Sequence, residues 1–219
     1  MDIQEAIKSR HSVRSYTDKK IEGAVKAVLE EDIEKHRAES GLDIRLIADE
    51  PEAFGGLMSR CASFKNCRNY IVIAAKDGCD EAVGYYGEKL VLEAQALGLN
   101  TCWTALTYSK GKIPFSPAPG EKVQIVIAVG YGETQGVPHK SKSMEALCKT
   151  DGEMPDWFRN GMEAAMLAPT AVNQQKFLFT LAGGKVSAKA GMGFYSKMDL
   201  GIAKYHFETG AGKENFEWA

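Results

Sequence analysis

Two arginines, a histidine and two serine hydroxyls crowd into seven residues, Arg10-His11-Ser12-Val13-Arg14-Ser15-Tyr16. Chemistry of this kind suits a phosphate. The planar guanidinium fork gives bidentate hydrogen bonds to phosphate oxygens. A serine hydroxyl adds a donor, and amides at a helix end can add more. Taken alone the stretch reads better as an exposed basic loop between two helices, because short basic runs are common, so the rest of the chain has to decide. A second stretch, Ala168-Pro169-Thr170-Ala171-Val172-Asn173-Gln174-Gln175, is small, polar and turn-prone. It follows directly on a helical pattern that Pro169 should end, because the residue before a proline is pushed out of the helical region. Lys140 and Lys142 form a basic pair in a loop, for which a solvated surface is an adequate account.

Other chemistries find no support. Gly130-Tyr131-Gly132 follows a strand-like run, but a dinucleotide fingerprint needs a third glycine three residues on. Position 135 is Gln135, and Pro138 soon interrupts. There is no Gly-x-Ser-x-Gly and no clear Cys–His pairing, so no catalytic side chain is assigned. The five cysteines, Cys61, Cys67, Cys79, Cys102 and Cys148, are irregularly spaced with no Cys-x-x-Cys. That argues against a zinc site and for reduced thiols in a cytoplasmic protein.

Lys+Arg number 27 and Asp+Glu 29, a net charge of -2. Such a balance excludes a dedicated nucleic-acid binder, which carries a basic excess. Apolar runs are too short to span a bilayer, and the acidic N-terminus is unlike a signal peptide. At 219 residues with 44% hydrophobic content, the chain can bury a substantial core.

Several elements must position these stretches. Asp2 can cap a short helix ending near Ser9. A longer helix spans residues 22–37, with Val25, Val28, Leu29 and Ile33 on one face and Gly41 as its stop. Residues 42–48 alternate as a strand should, and residues 70–75 form a continuous apolar run typical of a buried strand. Residues 51–69 read as loop with one helical turn. A long striped helix covers residues 81–97, in which Gly84 and Gly87 suit close packing, and Gly98 stops it. Residues 101–106 lead on into a proline-rich loop, and residues 123–129 form the clearest strand. A third long helix covers residues 155–167. Residues 176–182 and 186–190 make a hairpin around Gly183-Gly184, and a last helix covers residues 199–208. The order helix, strand, strand, helix occurs twice, a weak echo between halves 1–150 and 151–219 of what is otherwise read as one domain, 1–219.

These motifs together resemble the FMN-dependent nitroreductase family. Arg10-His11-Ser12-Val13-Arg14 is similar to its Arg-(Arg/His)-Ser-x-Arg phosphate motif. Residues 168–175 are similar to its Ala-Pro-Ser-x-x-Asn-x-Gln flavin loop. Leu97-Gly98-Leu99-Asn100-Thr101-Cys102-Trp103 is similar to its Gly-Leu-Gly-x-x-Trp helix exit. Asn100 stands for the second glycine, a swap that a left-handed backbone would tolerate. Residues 138–147 are similar to a closing basic segment. The order is unusual. In typical members the flavin loop follows the first long helix, where residues 34–41 hold no such motif.

The resemblance implies an α+β, three-layer α/β/α fold with a mixed, mainly antiparallel sheet and non-covalent FMN. It implies that Arg10, Ser12 and Arg14, with His11 beside them, hold the phosphate and ribityl end, and that Lys142 or Lys140 adds charge there. Pro169, Thr170, Ala171 and Asn173 line the ring, and the backbone of Trp103, Thr104, Ala105 and Leu106 approaches its reactive face. An aromatic residue after a buried helix, as Trp103 is, also suits a core. The implied activity is ping-pong transfer of electrons from NAD(P)H to a nitroaromatic, quinone or similar small acceptor. The cofactor carries that chemistry and the protein positions it. Partners are then NAD(P)H and the acceptor, with no nucleic acid and no membrane. The assembly is a homodimer or a monomer whose halves mimic one. A flavin carrier or sensor without turnover, or another flavin enzyme on the same fold, are alternative readings.

Overall fold

A computed structural model describes residues 1–219. In chain order the helices and strands are α1 (Ile3–Ser9), α2 (Gly23–Ser40), β1 (Asp43–Ile47), α3 (Leu57–Cys61), β2 (Tyr70–Ala75), α4 (Asp80–Ala96), β3 (Asn100–Thr104), β4 (Lys122–Gly130), β5 (Cys148–Thr150), α5 (Asp156–Ala165), β6 (Phe177–Ala182), β7 (Lys185–Ala190) and α6 (Ser196–Ala211). The chain is α+β, with its strands divided between two sheets. It forms two compact units with interleaved boundaries. One holds Met1 and residues 9–79 and 90–138. The other holds residues 2–8, 80–89 and 139–219.

The first unit is built on a fully antiparallel sheet of order β1-β2-β4-β3. All six residues of β2 are buried, as a strand paired on both sides and covered on both faces requires. Helix α2 packs on β1. It ends where Gly41 takes φ 70° and returns its N–H to the Arg37 carbonyl, a turn that glycine makes without strain. A cluster containing Val13, Tyr16, Phe54, Phe64, Tyr70, Val72 and Cys102 fills the space beside this sheet. Strand β3 escapes the sequence pattern. Asn-Thr-Cys-Trp-Thr lacks an apolar run, and it is a strand because β4 offers it a pairing edge. Asn100 is therefore extended rather than left-handed, which corrects the expectation for that position. The left-handed residue at this helix exit is Gly98, with φ 80°.

The second unit carries a small mixed sheet of order β5-β6-β7, with β5 parallel to β6 and β6 antiparallel to β7. Gly183 and Gly184 both take positive φ in the hairpin turn, as a tight two-residue turn demands. The three-residue β5 is too short to show in sequence. Residues 217–219 cover the β7 edge: Val186 N–H donates to the Glu217 carbonyl, and Ala219 N–H donates to the Val186 carbonyl. Phe158, Phe179, Phe207, Phe216 and Trp218 form an aromatic core in which the Phe179 and Phe207 rings stack 4.7 Å apart. The first turns of α4 cross α6 closely. A side chain at Gly84 would strike the Met198 carbonyl, and one at Gly201 would strike the Glu81 carbonyl. Glu88 and His206, both fully buried, pair at 2.8 Å at this crossing. No helix is long and apolar enough to cross a membrane.

Candidate functional site

In the first unit the 10–16 stretch is extended and sutured into the fold by its backbone. Val13 N–H donates to the Thr101 carbonyl of β3 at 3.0 Å. Tyr16 N–H donates to Lys65, Lys65 N–H to Arg14, and Glu133 N–H to Ser15. Ser12 and Thr101 form a parallel bridge, so the stretch covers the outer edge of β3 that would otherwise present unpaired groups. Extended backbone alternates its side chains. Val13 is buried between exposed Ser12 and Arg14, and Tyr16, three residues on and outside that alternation, is buried as well. Arg10, at the exit of α1, is only 3% exposed. The Tyr16 hydroxyl donates back to the Val13 carbonyl at 2.7 Å.

The glycines rejected as a dinucleotide fingerprint have a different use. A side chain at Gly130 would meet the Tyr16 ring at 2.8 Å. One at Gly132 would meet the Thr134 carbonyl at 2.5 Å and Val13 at 2.8 Å. One at Gly136 would meet His11 at 2.8 Å. They are clearances that let the 10–16 stretch lie close to the loop after β4. Asn100 completes the seat, accepting from Gly132 N–H at 3.0 Å and donating to Gln135 at 3.0 Å. Cys102 lies behind the stretch. Burial pushes its thiol up, opposed by Arg14, a hydrogen bond with Ser12, and Arg10. Trp103 and Thr104 lie on the same strand, and beyond it Leu106 is 71% exposed. The structure thus brings the Arg10–Arg14 set and the Trp103–Leu106 set onto one strand edge.

The second unit brings the remaining candidates together differently. Residues 169–175 pass over the end of α5 in a contorted path, with positive φ at Val172 (45°), Asn173 (54°) and Gln175 (46°). For a β-branched residue such as Val172 this is a genuine outlier, and it is 91% exposed. No glycine relieves this path, so other groups must hold it. Segment 139–142 holds one side. The Lys140 carbonyl accepts from Asn173 at 2.9 Å and from Gln175 at 2.8 Å. Lys142 N–H donates to the Gln175 side chain at 2.7 Å, and its ammonium donates to the Gln174 and Gln175 carbonyls at 2.8 and 3.0 Å. Ser141 and His139 meet the Met166 carbonyl, one of the orphan acceptors beyond α5. Thr170 accepts from Gln175 N–H through its hydroxyl.

Asp199, in the first turn of α6, holds the other side. It accepts from Ala171 N–H at 2.9 Å and from the Gln174 side-chain amide at 2.7 Å. That amide also donates to the Phe194 carbonyl at 2.6 Å. Burial pushes the Asp199 carboxyl up from an ordinary 3.8 to about 6, against the opposing pull of these two donors. Asp199 carries no local signal in sequence, being 28 residues from Ala171. Gln174 and Gln175 lie within a recognised motif, but nothing there says which carbonyls they serve.

The chain matches the family described as "Putative TM nitroreductase" over residues 2–211, and it belongs to that family. Among solved structures it is similar to a "putative nitroreductase" from Thermotoga maritima MSB8. That chain is 26% identical with a TM-score of 0.69, and the match covers 99% of this chain and 87% of that one. It is also similar to a "Putative NADH dehydrogenase/NAD(P)H nitroreductase" from Parabacteroides distasonis ATCC 8503, at 19% identity and TM-score 0.51, over 66% of this chain and 95% of that one. The latter likeness speaks to the fold alone. A "putative nitroreductase" from Desulfovibrio desulfuricans, solved in complex with FMN, matches at 19% identity and TM-score 0.48 over 67% of this chain and 95% of its own. The FMN is a property of that protein. No curated protein matches the sequence.

Proposed function

We propose that this chain is an FMN-dependent oxidoreductase that takes electrons from NAD(P)H and delivers them to a small acceptor such as a nitroaromatic or a quinone. Family membership supports the class. The observation that carries the cofactor is the seating of residues 10–14: a backbone-fixed strand edge that leaves Arg14 exposed and holds the Ser12 hydroxyl beside the Cys102 thiol, while Val13 anchors it inward. That donor set fits a phosphate monoester. Arg14 supplies a charged fork, Ser12 a hydroxyl, and backbone suturing fixes both before a ligand arrives, which reduces the ordering cost of binding. His11 and Arg10 flank them. In the second unit, the Pro169, Thr170, Ala171 and Asn173 backbone is proposed as a ring-binding surface, the phosphate grip that goes with it coming from this chain or from a second copy. Trp103, Thr104, Ala105 and Leu106 are proposed as a further ring contact.

When bound, FMN supplies the two-electron chemistry, and the protein's part is to hold, orient and shield it. Ser12 and Arg14 are proposed to bind the phosphate. Lys140 serves the loop through its carbonyl, which leaves its ammonium for the ligand. Lys142 directs its ammonium to the loop carbonyls, so its proposed contribution is indirect, through the loop's shape.

Titration of the purified chain with FMN, followed by quenching of flavin fluorescence, tests this reading. Arg14→Ala should weaken binding by about 1.5–3 kcal/mol, the scale of a hydrogen bond to a charged group. An affinity unchanged by that substitution removes the phosphate grip. Steady-state NAD(P)H oxidation with and without an added quinone then separates an enzyme from a flavin carrier, which would show no acceptor-dependent rate.

A further inference from the structure

Asp199 is 3% exposed and has no cation among the groups that set its ionisation. The charged and titratable groups on the surrounding elements are engaged elsewhere. Lys142 donates to the Gln174 and Gln175 carbonyls. On α4 and α6, Glu81 pairs with Lys204 and Glu88 with His206. Lys197 is exposed, and the Tyr195 carbonyl accepts the Asp199 N–H. The carboxylate is therefore faced by two amide donors, both from the 169–175 loop. One fixes the loop's entry at Ala171. The other fixes Gln174, whose amide also ties in Phe194. Between these two points lie Val172 and Asn173, both at positive φ. A strained backbone persists only where its surroundings over-determine it.

We propose that Asp199 is the positioning residue of the 169–175 loop: its ionised carboxylate clamps the loop at Ala171 and Gln174, and proton uptake by that carboxylate loosens the clamp. The physical reason is that hydrogen bonds to an ionised acceptor are about twice as strong as those to a neutral one. A proton on either oxygen also sets an O–H donor against an N–H donor. Because burial has already raised the affinity of this carboxyl for a proton, the change falls within a mildly acidic range. The hold itself stands on the geometry. Its consequence for a cofactor rests on the flavin-loop reading above.

The experiment is amide hydrogen exchange on the full chain at pH 5 and pH 7.5, corrected for intrinsic rates and resolved over peptides covering residues 166–176. The amides of Ala171, Asn173, Gln174 and Gln175 are all bonded, so their protection reports the loop. Wild-type protection there should drop about tenfold at pH 5, the equivalent of one hydrogen bond. Amides of the β6–β7 hairpin should keep theirs. In Asp199→Asn, which replaces one of the two oxygens that receive Ala171 and Gln174 by a donor –NH2 group, loop protection should be low at both pH values with the dependence on pH gone. A wild-type loop equally protected at both pH values overturns the proposal, and that arm does not depend on the variant folding. Retention of wild-type loop protection in the Asp199→Asn variant overturns it as well. FMN titration of the same samples keeps the two readings apart. A loosened loop with unchanged FMN affinity sustains the clamp and removes the loop from the flavin site. A loop that does not loosen sinks the clamp whatever the flavin does.

Discussion

The two candidate surfaces are held by opposite means. The 10–16 stretch is held by main chain to main chain: Val13 to Thr101, Tyr16 to Lys65, Lys65 to Arg14. Arg14 is left exposed, while the Ser12 hydroxyl bonds the Cys102 thiol, the Ser15 hydroxyl donates to Glu133 and the Tyr16 hydroxyl donates to the Val13 carbonyl. The 169–175 loop is held by side chains to main chain. Asp199, Gln174, Gln175, Asn173 and Lys142 all work inward to fix a path with three non-glycine residues at positive φ. What each surface can offer a ligand follows. The first offers charged side chains on a rigid edge, as a phosphate needs. The second offers a shaped backbone whose amides at Ala171, Asn173, Gln174 and Gln175 are already bonded, so it is proposed to meet a planar ring by fit. The difference also implies different weaknesses. The first should fail when the backbone cannot approach its neighbours, and the second when one polar side chain is lost.

The largest separation of the two should come from Gln175→Leu. Gln175 is 2% exposed, and its amide serves Lys142 N–H, the Lys140 carbonyl and Asn173. A leucine keeps the bulk and removes three hydrogen bonds, each contributing about 0.5–1.5 kcal/mol, although the Lys140 carbonyl keeps its bond from Asn173. Urea unfolding should show a loss of about 3 kcal/mol, and exchange protection should vanish at 169–175 and stay intact at Val13 and Tyr16. Equal loosening of both stretches would dissolve the distinction.

Gly132→Ala attacks the other surface. Its methyl would meet the Thr134 carbonyl and Val13, a backbone obstruction that costs about 1–3 kcal/mol. Protection at Val13 should fall and that at Gln174 should not. Should the protein be as stable as wild type, the close approach of the 10–16 stretch is not what this glycine serves.

The smallest effect should be a pH slope. Asp199 binds its proton more tightly folded than unfolded, so its contribution to stability is complete below about pH 3.8 and declines as pH rises through about 6. Between pH 5 and 7.5 this one group should lower wild-type stability by about 1 kcal/mol. In Asp199→Asn that component should be absent, giving a flatter profile of unfolding free energy against pH. Parallel profiles for the two proteins would remove Asp199 from the account. The opposed directions are informative: ionisation strengthens the loop's clamp while it weakens the global fold, as expected of a buried charge kept for position.

Much of this was legible in the sequence, for physical reasons that differ by element. Apolar runs located β2 and β4, because a strand covered on both faces buries nearly every residue, and periodicity located the long helices, because burying one face of a helix imposes its period on the apolar residues. Gly41 and the Gly183-Gly184 pair were readable because a positive φ almost demands glycine. The seven residues from Arg10 to Tyr16 stood out as a cluster because their donors are adjacent in the chain, and their grip on a phosphate is the proposal. Strand β3 was not readable. Asn100 to Thr104 has no apolar run, and only pairing with β4 on one edge and the Ser12 bridge on the other make it extended. The left-handed loop residues were not readable either, since Val172 and Gln175 disfavour that conformation and hold it only because distant groups compel it.

The sequence by itself determined the α+β class, the long helices, the buried strands and the two stretches proposed to meet a phosphorylated, planar cofactor. Their information is local, carried by spacing and by residue types that act on their own neighbours. Only the tertiary structure decided that Gly130, Gly132 and Gly136 are clearances, that Lys142 turns its charge toward carbonyls, and that Asp199 governs the loop. Those roles depend on which backbone atoms the fold carries to within a hydrogen bond of a residue tens of positions away, and no local pattern encodes that distance.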